Sequence, residues 1–174
     1  MKAKRDFVLR VLDRGAISLE QAAAGLSPSQ WSFRPAGAWS ILDVVEHVAV
    51  AEPALLEIIR LARPAEGRPP SDPSKDELTV ERIAGRGRRV LAPAGLEPAG
   101  RFRSVDSALT QFHHQRVLTL EFVNACEADL RNLHTEHPIL GLIPAFTGML
   151  LLAAHPARHA NQILEIRSTP GFPA

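Results

Sequence analysis

The chain has 174 residues, 45% of them hydrophobic and 22% charged, a length and composition that suit one domain with a continuous apolar core and exclude wholesale disorder. Twenty basic and 19 acidic side chains leave a formal net charge of +1, which gives no general attraction to nucleic acid or to an anionic membrane. With no tyrosine and only 5% aromatics, the chain is also poor in the stacking groups that a nucleic-acid-binding face uses.

Met1 to Asp6 is charged and lacks the apolar stretch of a secretory signal, so a soluble protein of the cytoplasm is expected. A first helix is predicted over residues 6–24, where Val8, Leu12, Leu19 and Ala23 recur at three- and four-residue steps. Gly15 inside it should cost roughly 1 kcal/mol relative to alanine. A second helix is predicted over 40–63. Ser40 is its N-cap and Asp43 the acidic partner of a capping box. Ile41, Val45, Val48, Leu55 and Ile59 form its apolar stripe, Asp43, Glu46, Glu57 and Arg60 lie opposite, and Pro53 should bend it.

Residues 64–103 are dense in proline, glycine and charge and read as a long crossover with a weak helix near 75–90. The short cluster Arg86, Arg88 and Arg89 within it reads as solvated surface. Ser104 caps a third helix predicted to run to residue 133. It carries Cys126, the only cysteine, which excludes an internal disulfide and reads as a buried, unreactive thiol without a cationic neighbour. A turn through His134, Pro138 and Gly141 leads to a fourth helix over 144–166. Nothing carries a convincing strand alternation, and no apolar run approaches the about 20 residues needed to cross a bilayer. The expected architecture is all-α: a four-helix bundle forming a single domain over 1–174, with the 64–103 segment spanning between helices two and three.

His155 and His159 lie four residues apart, one helical turn, on a face shared with Leu151, Leu152, Gln162 and Ile166. That spacing lets two imidazoles share a metal ion, and a buried imidazole needs a partner for each nitrogen. His47 falls at the margin of the second helix's apolar face, beside Val44, Ala51 and Ile58. Three neutral imidazoles from two facing helices suit Zn²⁺ or Ni²⁺ with coordination positions left open. Gln162 is the residue placed to orient a ligand, or else a polar group closing the bundle end. His113 and His114 read as partly exposed, and His134 and His137 as capping or surface groups of the turn. Arg158 faces away from the histidine line and reads as surface or dimer contact, and Glu46 projects about 100° from His47, a poor position for a general base. Pro156, between the two candidate ligands, either interrupts the helix or kinks it so that the imidazoles converge.

Several stretches resemble the DinB/YfiT-like family. Leu26-Ser27-Pro28-Ser29-Gln30-Trp31 with Arg34-Pro35 is similar to its segment after the first helix. Residues 39–47 resemble the stretch that introduces its first ligand histidine. Ala92-Pro93, Pro98, Arg101 and Ser104 are similar to its crossover, while residues 137–141 and 155–163 resemble its final turn and helix. Pro156 departs from the commoner pattern there. The resemblance implies an up-down-down-up bundle, often a homodimer, with a three-histidine metal site at His47, His155 and His159. It also implies an enzyme in which a metal activates a low-molecular-weight thiol or water against a small electrophilic substrate, as an S-transferase or hydrolase. A non-catalytic metal-binding or dimerising bundle, or a metal-free bundle with merely packed histidines, remains the alternative.

Overall fold

Three hydroxyls start helices through the same reciprocal device. Ser27, Ser40 and Ser104 each accept from the backbone amide three residues on, and the side chains of Gln30, Asp43 and Ser107 reach back to the cap's own amide. The computed structural model describes residues 2–87 and 90–174, so the expectation for Arg88 and Arg89 lies outside the described residues. Its elements are α1 (Lys2–Ala23), the short α2 (Pro28–Ser32), α3 (Ile41–Arg60), α4 (Asp76–Ala84), α5 (Val105–Ala125), β1 (His134–His137), β2 (Gly141–Pro144) and α6 (Ala145–Arg167).

The four long helices form an up-down-down-up bundle, because the 61–104 connection returns the chain to the end where α3 began. One apolar cluster joins the C-terminal ends of α1 and α6 to the N-terminal ends of α3 and α5, through Leu19, Val44, Phe112 and Ile163 among others. The other joins the opposite ends, through Val8, Leu56, Val123 and Met149. Between the clusters lies a charged layer. Buried Arg116 makes a bidentate pair with buried Glu52 at 2.7 and 2.8 Å, and its remaining Nη1 donates to the Leu12 carbonyl at 2.6 Å. Thr119 donates to the same carboxylate at 2.9 Å.

Two of the three helix-interior residues expected to weaken or bend their helices, Gly15 and Pro156, meet in one contact. Pro156 is buried inside α6, which continues past it to Arg167. It lies against Gly15 of α1, where an added Cβ would sit 2.7 Å from the Ala153 carbonyl oxygen and 3.6 Å from Pro156 Cδ. Gly15 is therefore the price of close approach between α1 and α6 rather than a simple loss of helix propensity.

Two expectations need correction. The third helix ends at Ala125, eight residues short, and residues 134–144 form an antiparallel hairpin pairing His134 with Pro144 and His137 with Gly141. Its strands are four residues each, too short to show an alternating pattern. The hairpin also bridges to Arg63, whose amide and carbonyl pair with those of His134 at 2.9 and 2.8 Å. The crossover is likewise tied down. Arg131 bonds Asp76, Arg158 and Asn161 of α6 donate to the carbonyls of Gly85 and Ala84, and buried Glu46 of α3 holds residues 99 and 101.

Candidate metal centre

His47 and its neighbour Glu46 grip one loop. The Glu46 carboxylate is 1% exposed and accepts from the amides of Ala99 at 2.6 Å and Arg101 at 3.1 Å, and from Arg101 Nη1 at 2.7 Å. It is therefore a buried anchor, where an outward position on the polar face was expected, and none of its geometry suits a general base. The loop it fixes presents the Leu96 carbonyl to His47 Nδ1 at 2.8 Å. A carbonyl can only accept, so Nδ1 carries the proton and Nε2 keeps a free lone pair. Trp39 packs against the same ring, with centroids 5.1 Å apart.

Across the interface, α6 projects His155 and His159 from adjacent turns. Their Nε2 atoms are 3.0 Å apart, and His159 Nδ1 is 2.9 Å from Gln162 Oε1. The His47 ring lies 5.1 and 4.8 Å, centroid to centroid, from those of His155 and His159. One ligand nitrogen from each of the three falls within 4.8 Å of the others, and no other group of three His, Cys, Asp or Glu among the described residues could hold a metal in this way.

Electrostatics keep the cluster neutral. Burial lowers the pKa of His47 against the opposing pull of the Leu96 bond and Glu97. Desolvation drives those of His155 and His159 well below the ordinary imidazole value, and the neighbouring imidazoles and Arg158 add to the effect. Neutral imidazoles are what metal ligation requires. The donor set fits a divalent ion. With metal–nitrogen bonds of about 2.0–2.1 Å, two imidazoles on one ion stand about 2.9 Å apart at right angles and about 3.3 Å apart at the tetrahedral angle, which brackets the 3.0 Å observed between His155 and His159.

The other sequence candidates divide. His113 and His114 are exposed, as expected, with His113 3.5 Å from Glu20. His134 and His137 are buried in β1 rather than on the surface, since the hairpin folds against α3 and α6. His137 Nδ1 accepts from the amides of Ile139 and Leu140 at 3.1 and 3.2 Å, and this residue stays off the triad. Arg158, expected at the surface, straps α6 to the carbonyls of Ile83 and Gly85. Cys126, expected buried within the third helix, is the C-cap of α5 and half-buried, lining a cavity of about 200 Å³ at the bundle end away from the histidines. Gln162 does face the site, through His159. Sequence reasoning missed Leu96, whose contribution is a backbone carbonyl, and Arg86, whose Nη1 donates to Gln162 Oε1 at 3.1 Å while its Nε pairs with Glu165 at 2.7 Å.

Comparison with known proteins gives a consistent picture. A sequence model of the DinB superfamily matches residues 12–163. No curated protein matches. Among solved structures, the chain is similar to YfiT from Bacillus subtilis, described as a probable metal-dependent hydrolase with an unusual four-helix bundle topology. The TM-score is 0.65 at 15% identity, over 99% of this chain and 91% of that one. It is also similar to TT2238, a four-helix bundle protein, with a TM-score of 0.60 at 23% identity, over 92% of this chain and 98% of that one. At these identities the likeness is one of fold.

Proposed function

The chain belongs to the DinB superfamily, and on that premise we propose that it is a metal-dependent enzyme whose divalent ion, zinc or nickel, is held by Nε2 of His47, His155 and His159. The observation that carries this reading is the convergence of three neutral imidazoles from two helices, His47 and His159 buried and His155 half-buried, two of them at the spacing of ligands on one ion. A divalent ion there would supply Lewis acidity, lowering the pKa of a water or a low-molecular-weight thiol so that it attacks at neutral pH. The protein's own groups do the rest. The Leu96 carbonyl and Gln162 keep the Nδ1 protons of His47 and His159 turned away from the centre. Three protein ligands leave coordination positions open, as catalytic sites do and structural ones do not. The reaction class we propose is thiol transfer to, or hydrolysis of, a small electrophilic molecule, and the similarity to YfiT supports the hydrolytic branch.

A second reading, a non-catalytic ion bracing α3 to α6, draws on the way the crossover is tied down beside the site, with Ala84 and Gly85 held to α6 and Leu96 to His47. Elemental analysis of untagged protein tests the ion: near one zinc or nickel per chain is expected in the wild type, and none in His159→Ala. A His159→Ala variant with unchanged stoichiometry would remove the site. Turnover of a panel of thiols and electrophiles by the loaded protein then separates catalysis from bracing. The proposal includes a homodimer in the cytoplasm, which light scattering checks as twice the 19.0 kDa chain mass.

A further inference from the structure

Gln162 Oε1 receives two contacts, one from Arg86 Nη1 at 3.1 Å and one from His159 Nδ1 at 2.9 Å. A guanidinium has five N–H donors and no acceptor, so the atom facing Arg86 must be the amide oxygen. The same oxygen then has to accept from His159, which places the imidazole proton on Nδ1 and leaves Nε2 bare. His159 Nε2 lies 3.0 Å from His155 Nε2, so without an ion His155 donates its Nε2 proton there. The hydrogen bonds thus form a chain with one direction. Take away Arg86 and the Gln162 amide can turn over, donate its NH₂ to His159 Nδ1, and reverse every bond as far as His155. The reversed chain puts a proton on His159 Nε2, the atom that the proposed site needs as a ligand.

We propose that Arg86, from the crossover, is a positioning residue that fixes the Gln162 amide and so holds His159 as the tautomer with a free Nε2. Glu165 steers the guanidinium by pairing with its Nε at 2.7 Å. The arrangement differs from the common one, in which a carboxylate or carbonyl receives the proton of a ligating imidazole directly. An amide can present either end, and a cation that can only donate removes that choice. This inference builds on the proposed metal site in assigning the purpose of the tautomer, but the tautomer itself can be read without any metal.

The test uses full-length protein in two states. In metal-free protein labelled with ¹⁵N-histidine, long-range proton–nitrogen correlation at neutral pH should show His159 protonated on Nδ1 in the wild type and in Arg86→Lys, which retains a donor-only cation. Arg86→Leu should show both nitrogens partly protonated. Asn161→Ala removes a different tie to the same segment, the bond to the Ala84 carbonyl at 3.1 Å, and should leave the tautomer unchanged. In Zn²⁺ titrations, Arg86→Leu should bind about 10-fold more weakly, as loss of a ligand's hydrogen-bond partner commonly does, and Arg86→Lys should recover most of that. A His159 that stays protonated on Nδ1 in Arg86→Leu overturns the assignment. So does a shift of equal size in Asn161→Ala, which would mean that the segment merely needs pinning. If the wild type binds no Zn²⁺, the proposed metal site fails while the tautomer measurement still decides the role of Arg86.

Discussion

The bundle buries two polar clusters, and they are finished differently. At mid-height, Glu52 takes hydrogen bonds on both oxygens from Arg116 and Thr119, and Arg116 Nη1 donates to the Leu12 carbonyl. Every charge there is matched by protein. The histidine cluster matches only its outer nitrogens, with Leu96 and Gln162, and turns its inner ones on each other across a distance short enough for one ion. Burial alone does not distinguish a site from a structural layer. What distinguishes them is whether the donors and acceptors close on themselves or leave lone pairs converging on a point.

That contrast can be broken most forcefully at Arg116. Arg116→Met strands a buried carboxylate and should cost about 3–5 kcal/mol of folding free energy, read as a fall in the denaturant midpoint. Zinc bound per folded chain should stay at the wild-type value. Pairing it with Glu52→Leu should restore most of the loss, because an apolar replacement of both partners leaves no unpaired charge; a double variant no more stable than the single would show that the layer is needed for more than mutual neutralisation. His159→Ala inverts the pattern. Zinc affinity should drop by more than 100-fold in calorimetric titration, while metal-free protein should lose less stability than Arg116→Met.

Acid supplies the smallest and sharpest difference. Burial holds His155 and His159 well below 6.5 in the folded chain. Unfolding lets both take up protons near that value, so the unfolded state binds more protons below pH 6.5 and stability falls as the pH drops. Metal-free wild type should therefore melt at a lower temperature at pH 5 than at pH 7. The drop should be smaller in His159→Ala, and an equal drop in the two proteins would show that the triad does not carry it.

The order of the helices was legible because capping and periodicity are local. Ser40 with Asp43, Ser104, and the apolar stripe of the second helix mark their positions within a few residues. The spacing of His155 and His159 was legible for the same reason. Glu46 and Arg116 were not, since a charged residue on a helix reads as exposed unless its partner is known, and the partners lie 53–64 residues away. The hairpin escaped because its strands are too short for a pattern. Pro156 left two readings open; α6 runs on through it, and the proline packs against Gly15, 141 positions earlier, a contact no local pattern shows.

Adjacent positions on α3 have separate tasks. Glu46 clasps the 96–101 loop, and His47 donates its Nδ1 proton to the same loop. An ion drawing electron density from the His47 ring would make that proton a stronger donor, so occupancy and loop order should reinforce each other by reciprocal linkage. The loop is thereby a reporter as well as a tie, and slowed amide exchange at Ala99 and Arg101 on zinc addition would register the ion's arrival from outside its coordination sphere.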